Sequence, residues 1–280
     1  MCQPKQRDLW DEPIPACSCA LSEQNVESTF DPPHCALRFT LRGRIMAPAH
    51  DTAPPAQWPP EVVFLVRPRL ERTFPPDLVP LLLPPTVSSS SGGSGSTGTS
   101  TSTSTSTNSA RRFQPQSAPH PSTVLIKRVV APGHPAHGQR CLAAHRALRA
   151  GEVVIPYLGE IHATFARSED DTEAAPRTPP VQPSHESSDY DLSLLRLSSA
   201  DPRNPYPGYH VSIGIDAAVM GNAARFVNDY RGIGTAPNAE FRLGRGPGGE
   251  VRMEVHTLRA VRKGDELLVS YGKGWWGARK

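Results

Sequence analysis

Aromatic residues are scarce in this chain of 280 residues, at 6%. With so few large rings, and with 31 prolines and 22 glycines, the sequence supports one modest core rather than two. Cysteine is sparse as well. Cys2, Cys17, Cys19, Cys35 and Cys141 are an odd set at irregular spacing, which excludes the paired disulfide framework of a small secreted protein. Cys17-Ser18-Cys19 offers half the spacing of a zinc site and no second half is present, so it reads as a reduced dithiol in a tail. Long apolar runs are missing. The opening Met1-Cys2-Gln3-Pro4-Lys5 has no apolar core for a signal peptide and no segment reaches the length of a membrane span, so the chain reads as soluble and intracellular, with no membrane partner. A strong charge bias is missing too: the net charge is +3 and the pI about 8.7, without the dense basic stripe of a nucleic-acid binder.

The residues that are present are unevenly distributed. Residues 1–35 are polar, proline-interrupted and aperiodic, and read as a disordered tail. Residues 36–83 form a β-rich flank, in which Leu37 to Leu41 alternates and Glu61 to Arg67 is a β-branched run bounded by prolines. Two such strands cannot stand alone, so the flank is expected to pack on the downstream domain. Residues 84–121 read as a linker, because the Ser, Thr and Gly tract from Ser88 to Ser109 buries nothing that offsets its ordering entropy.

The folded domain is expected over residues 122–276. Val124 to Val130 reads as a strand, as do Val153 to Tyr157, Tyr190 to Leu195, Tyr209 to Ile213 and Val251 to His256. An acidic, proline-rich insertion between Ala163 and Ser188 reads as a loop. An internal echo links Arg146-Ala147-Leu148-Arg149-Ala150-Gly151-Glu152 to Arg259-Ala260-Val261-Arg262-Lys263-Gly264-Asp265. Each copy is a turn ending in glycine that launches an apolar strand with a tyrosine near its end, Tyr157 or Tyr271. Many short strands with frequent Gly and Pro predict a mostly β fold of small curved sheets.

The stretch from Ile213 to Phe241 has neither period and reads as a shaped loop. Its Arg225, Phe226, Asn228, Asp229, Pro237 and Asn238 resemble the Arg-Phe-x-Asn-His-x-Cys-x-Pro-Asn motif of the SET-domain protein lysine methyltransferases. Gly264-Asp265-Glu266-Leu267-Leu268-Val269-Ser270-Tyr271-Gly272 resembles the closing motif of that family, and Gly138 with Ala143 its opening one. Two departures stand out: Arg140 occupies the place of the usual second glycine and Asp229 that of the usual histidine. The resemblance implies a SET fold with a C-terminal pseudoknot that joins residues 225–238 to 267–272, and no post-SET zinc, since no cysteine comes after Cys141.

The activity it implies is transfer of a methyl group from S-adenosylmethionine to a lysine amine of a histone or another protein, most naturally in the nucleus. No metal is implied, and no direct contact with nucleic acid. An in-line displacement needs alignment and a neutral amine, and a narrow apolar channel supplies both by orienting the lysine and lowering its pKa. By resemblance Tyr271 is the catalytic tyrosine and Tyr157 a second hydroxyl. Arg140, Cys141, Leu142, Tyr190, Arg225, Phe226, Asn228 and Asp229 would hold the cofactor. Val269 would face the substrate lysine, and Trp275 or Trp276 would close over the adenine or the lysine stem, or else anchor the C-terminal segment; Val269, smaller than the usual Phe or Tyr, implies room for higher methylation states. The competing class is a SET-like binding module inactivated through Arg140 and Asp229.

Overall fold

The computed structural model describes residues 50–83, 113–169, 177–185 and 187–272. The chain divides into two units, one of residues 48–270 and one of residues 1–47 with 271–280. Of the second unit only Tyr271, half-buried, and Gly272, with φ of 85°, are described. The expected tail, the Leu37 to Leu41 strand, the Ser/Thr/Gly tract, Trp275 and Trp276 lie outside the described residues.

The larger unit is made of short strands. In chain order they are β1 (Val63–Phe64), β2 (Arg69–Leu70), β3 (Val124–Arg128), β4 (Arg140–Ala144), β5 (Val153–Tyr157), β6 (Glu160–Arg167), β7 (Asp191–Leu197), β8 (Tyr209–Asp216), β9 (Met220–Gly221), β10 (Asn228–Asp229), β11 (Ala239–Arg245), β12 (Val251–Thr257) and β13 (Leu268–Val269). One α-helical turn, α1 (Val79–Leu82), is described. The strands make five small sheets: β2-β6-β8-β7, β11-β12-β5, and the pairs β3-β4, β1-β9 and β10-β13. Leu142, Ile155, Ile161, Leu194, Ile213 and Ile215 are fully buried between them. Each such side chain contributes roughly 1.5–3 kcal/mol on leaving water.

The two halves of the sequence echo meet in space. Leu148 and Val261, at the same place in each copy, form an antiparallel bridge with reciprocal N–H to carbonyl distances of 2.9 and 3.0 Å. The equivalent Gly151 and Gly264 both have positive φ, 75° and 91°, which explains why each copy ends in glycine. The expected pseudoknot pairing is also present: β10 runs parallel to β13, Asn228 opposite Leu268 and Asp229 opposite Val269. Asn238 clamps the crossing, since its Nδ2 donates to the Glu266 carbonyl and its Oδ1 accepts from the Leu268 N–H, both at 2.8 Å.

Several boundaries differ from the sequence reading. Ile213 to Asp216, read as loop, is the end of β8, because alternation continues through Ile215 against Ile161 of β6. Ala163 to Arg167, read as the start of the acidic insertion, belongs to β6 for the same reason. The Glu61 to Arg67 run yields only two strand residues, with β2 just beyond it; both strands exist by parallel pairing, with β9 and β6. The end of the expected linker is anchored: Pro115 is buried and the Ala118 N–H donates to the Val66 carbonyl at 2.5 Å.

The described part of the insertion, residues 177–185, is held by a buried ionisable cluster. His162 of β6 lies 2.8 Å from Asp191 Oδ1 and stacks on His185 with centroids 3.8 Å apart. His185 Nδ1 is 2.8 Å from Asp216 Oδ2, and its Nε2 is 3.6 Å from Glu71 Oε1. Burial alone would depress the His185 pKa, but hydrogen bonding and charge from Asp216 and Glu71 together hold it above the ordinary 6.5. A raised pKa means that this stabilisation is complete below pH 6.5 and fades as the pH rises through the folded-state value. His185→Gln should therefore lower the melting temperature more at pH 6 than at pH 8.5, as followed by circular dichroism; an equal loss at both would mean that the cluster acts by packing alone.

Candidate active site

The site is built outward from Asn222. Its side chain accepts from the N–H groups of Ala224 and Leu158, each at 3.3 Å, and donates to the Pro156 carbonyl at 2.8 Å. This caps the short 3-10 turn Ala223–Phe226 and ties it to the end of β5. Because Asn222 is buried, Asn222→Ala should destabilise the unit by about 1–3 kcal/mol, the cost of leaving those groups unsatisfied, read by urea unfolding.

The turn presents Arg225 and Phe226. Arg225 donates from Nε to the Ala217 carbonyl at 2.8 Å and from an Nη to that of Ala218 at 3.1 Å. Its guanidinium lies 4.2 Å from the centre of the Tyr190 ring. Burial draws the Arg225 pKa down, with Tyr190 and Tyr157 opposing it. A cleft of about 360 Å³ opens beside these residues, lined by Gly138 to Arg140, Tyr190, Ala218, Arg225, Phe226 and, from the upstream flank, Pro59, Glu61 and Val62. Gly138 has φ of 78°, and a Cβ added there would meet nothing within 4 Å, so its role is the turn rather than a close approach. A second hollow, of about 460 Å³, lies between Arg72 to Asp77 and Arg177 to Pro180, where Arg177 and Asp77 pair with each other.

Four of the expected cofactor residues, Arg140, Tyr190, Arg225 and Phe226, share the cleft. Arg140 needs no glycine conformation: it sits in β4, and its Nε donates to the Gln57 carbonyl at 2.6 Å. Cys141 and Leu142 are buried in the same strand and do not line the cleft. Burial, then the Glu266 charge, pushes the Cys141 thiol up to about 12, so it is no nucleophile. Asn228 turns its amide to Glu266, donating to Oε1 at 2.8 Å. Asp229 is buried and pairs with Arg231 at 3.0 Å. Tyr157 donates its hydroxyl to the Tyr190 carbonyl at 2.6 Å and meets Phe241 edge-on. Val269 is fully buried in β13.

Two features escaped the sequence. Glu266 accepts from Asn228 and lies 3.1 Å from His134 Nε2; it was visible only as a letter of the closing motif. The flank residues of the cleft carry no local signal, since their place depends on the β1 to β9 pairing.

Residues 139–272 match the family model described as SET domain. This region is a SET domain. Among solved structures, the chain is similar to a humanized mutant of the Chaetomium thermophilum Polycomb Repressive Complex 2 bound to an inhibitor, at 21% identity over 53% of this chain and 15% of that one, with a TM-score of 0.33. It is also similar to ATXR5 in complex with mono-methylated histone H3.1, at 17% identity over 54% of this chain and 57% of that one, with a TM-score of 0.34. The chain thus spans less than two thirds of either. No curated protein matches it. The SET domain supports a methyltransferase role, and the cleft lies where its β4, capped turn and Tyr190 meet. Among the described residues no helix is long and apolar enough to cross a membrane.

Proposed function

We propose that this chain transfers a methyl group from S-adenosylmethionine to a lysine amine of a protein substrate. The observation that carries the reading is the cleft beside the capped turn, where one carboxylate, two guanidiniums and the Tyr190 ring converge. That donor set fits the cosubstrate: a zwitterionic amino-acid end suits opposite charges, and a flat base suits aromatic walls. When bound, S-adenosylmethionine supplies an electrophilic methyl on a sulfonium.

The residues of this chain position and protect. Arg225, held by two carbonyls and stacked on Tyr190, stiffens one wall and keeps that ring in place. Tyr157 fixes the backbone of Tyr190 from behind, and a hydroxyl that donates its proton still has an oxygen able to accept. Glu266 orients Asn228 in the pseudoknot. Tyr271 would orient the attacking amine, which must reach the site neutral, and apolar surroundings favour that form. No metal is assigned a role.

A histone tail is the substrate class we favour, which would place the protein in the nucleus. Its lysines are drawn by the acidic run Glu169-Asp170-Asp171 through long-range attraction. The experiment is incubation of the full chain with methyl-labelled S-adenosylmethionine and separate pools of histones and cell extract. Label in histones supports both halves of the reading, and label only in extract proteins keeps the activity but moves the substrate. No label in either pool, with cosubstrate binding intact, points to the binding-only module.

A further inference from the structure

One wall of the cleft lies outside the SET match. Pro59, Glu61 and Val62 precede residue 139 by more than seventy positions, yet they face Arg140, Tyr190 and Arg225. Their placement is built rather than incidental. Trp58 packs edge-on against Phe226 at 5.6 Å and Phe64 at 5.1 Å, and its Nε1 donates to the Val62 carbonyl at 2.7 Å. The Leu65 N–H donates to the Gly221 carbonyl at 2.7 Å, next to the Asn222 cap. Gln57, whose carbonyl accepts from Arg140, has φ of 66°, the one positive value among the described non-glycine residues. It is the third residue of a turn closed by the Trp58 N–H to Pro55 carbonyl bond at 3.2 Å, which fixes where that carbonyl points.

The charges on the two sides of the cleft are complementary to a zwitterion. Among the described residues, three charged side chains line it: Glu61, Arg140 and Arg225. Arg225 is engaged by the Ala217 and Ala218 carbonyls and by the Tyr190 ring, which makes it wall rather than ligand. That leaves one acid and one base. Glu61 is exposed to the cleft and makes no hydrogen bond or salt bridge among the described residues, although its charge reaches Arg225.

We infer that residues 57–66 complete the cosubstrate site of this SET domain, and that the Glu61 carboxylate holds the α-ammonium of S-adenosylmethionine while Arg140 faces its carboxylate. The inference rests on the proposed reading of the cleft as a cosubstrate site. It also gives Arg140 a purpose at a position where glycine is usual: its Nε anchors the wall through Gln57 and its guanidinium remains at the cleft.

The test is isothermal titration of the full chain, wild type and Glu61→Gln, with S-adenosylmethionine and with S-adenosylhomocysteine, which keeps the ammonium and lacks the sulfonium charge. Loss of one charge-assisted hydrogen bond should weaken both ligands by about tenfold or more. Glu61→Arg should weaken them further, and the melting temperature should hold for both variants because Glu61 is exposed. Affinity within twofold of wild type for Glu61→Gln overturns the inference. A loss confined to S-adenosylmethionine puts the carboxylate at the sulfonium and overturns the ammonium assignment, and a loss that tracks a fall in melting temperature makes Glu61 structural. A wild-type chain that binds neither ligand strikes instead at the cosubstrate reading itself.

Discussion

Tyr271→Phe should slow methyl transfer by about a hundred- to a thousandfold while leaving the affinity for S-adenosylmethionine within twofold. A hydroxyl that orients the reacting groups acts on the transition state, and removing one such contact typically costs that much in turnover. Uniform binding of the cosubstrate would be spared, so the loss should fall on kcat rather than on KM. Single-turnover kinetics with labelled cosubstrate, paired with calorimetry, separates the two. If affinity and turnover fall together, Tyr271 has a structural role instead.

Glu266→Ala is expected to be the most damaging single change to the pseudoknot. Glu266 is largely buried, its Oε1 takes the Asn228 amide and its Oε2 lies 3.1 Å from His134. Truncation leaves both partners without their acceptor, at about 1–3 kcal/mol each. For a unit of this size that corresponds to a melting temperature lower by roughly 5–15 °C. Glu266→Gln keeps an acceptor for Asn228 and should cost about half as much. The coupling between Glu266 and Asn228 is read from the double mutant: if Asn228→Ala in the Glu266→Ala background costs as much as it does alone, the two residues act independently.

Much of this fold is legible in the chain because its strands announce themselves locally. Val153 to Tyr157, Tyr209 to Ile213 and Val251 to His256 are β-branched or alternating, and they appear as β5, β8 and β12 with shifts of a few residues at their ends. The pairing of Leu148 with Val261 was foreshadowed by the sequence echo, although the echo alone could not say that the copies touch. The capped turn with Arg225 and Phe226 was legible as a motif. The features that stayed hidden depend on distant partners. β1 and β2 are two-residue strands whose existence rests on hydrogen bonds to β9 and β6, more than eighty residues away, so no window of the flank could reveal that it walls the cleft. The histidine cluster is hidden for a similar reason: His162, His185, Asp191, Asp216 and Glu71 come from five segments, and each alone reads as an ordinary polar residue.

Burial also changes what Val269 can be asked to do. A side chain with no exposed surface in β13 cannot be enlarged freely, and Val269→Tyr should first cost stability, about 1–3 kcal/mol from overpacking, before it alters any product distribution. Mass spectrometry of the products is informative only for a variant whose unfolding midpoint has been measured alongside.

Whether the cleft between the capped turn and the upstream flank holds S-adenosylmethionine is decided by calorimetric titration of the full chain with that cosubstrate. We expect one saturable site per chain, competed by S-adenosylhomocysteine and weakened by Glu61→Gln. A wild-type chain, folded by circular dichroism, that shows no heat of binding up to about 1 mM cosubstrate, an affinity weaker than about −4 kcal/mol, would contradict that assignment.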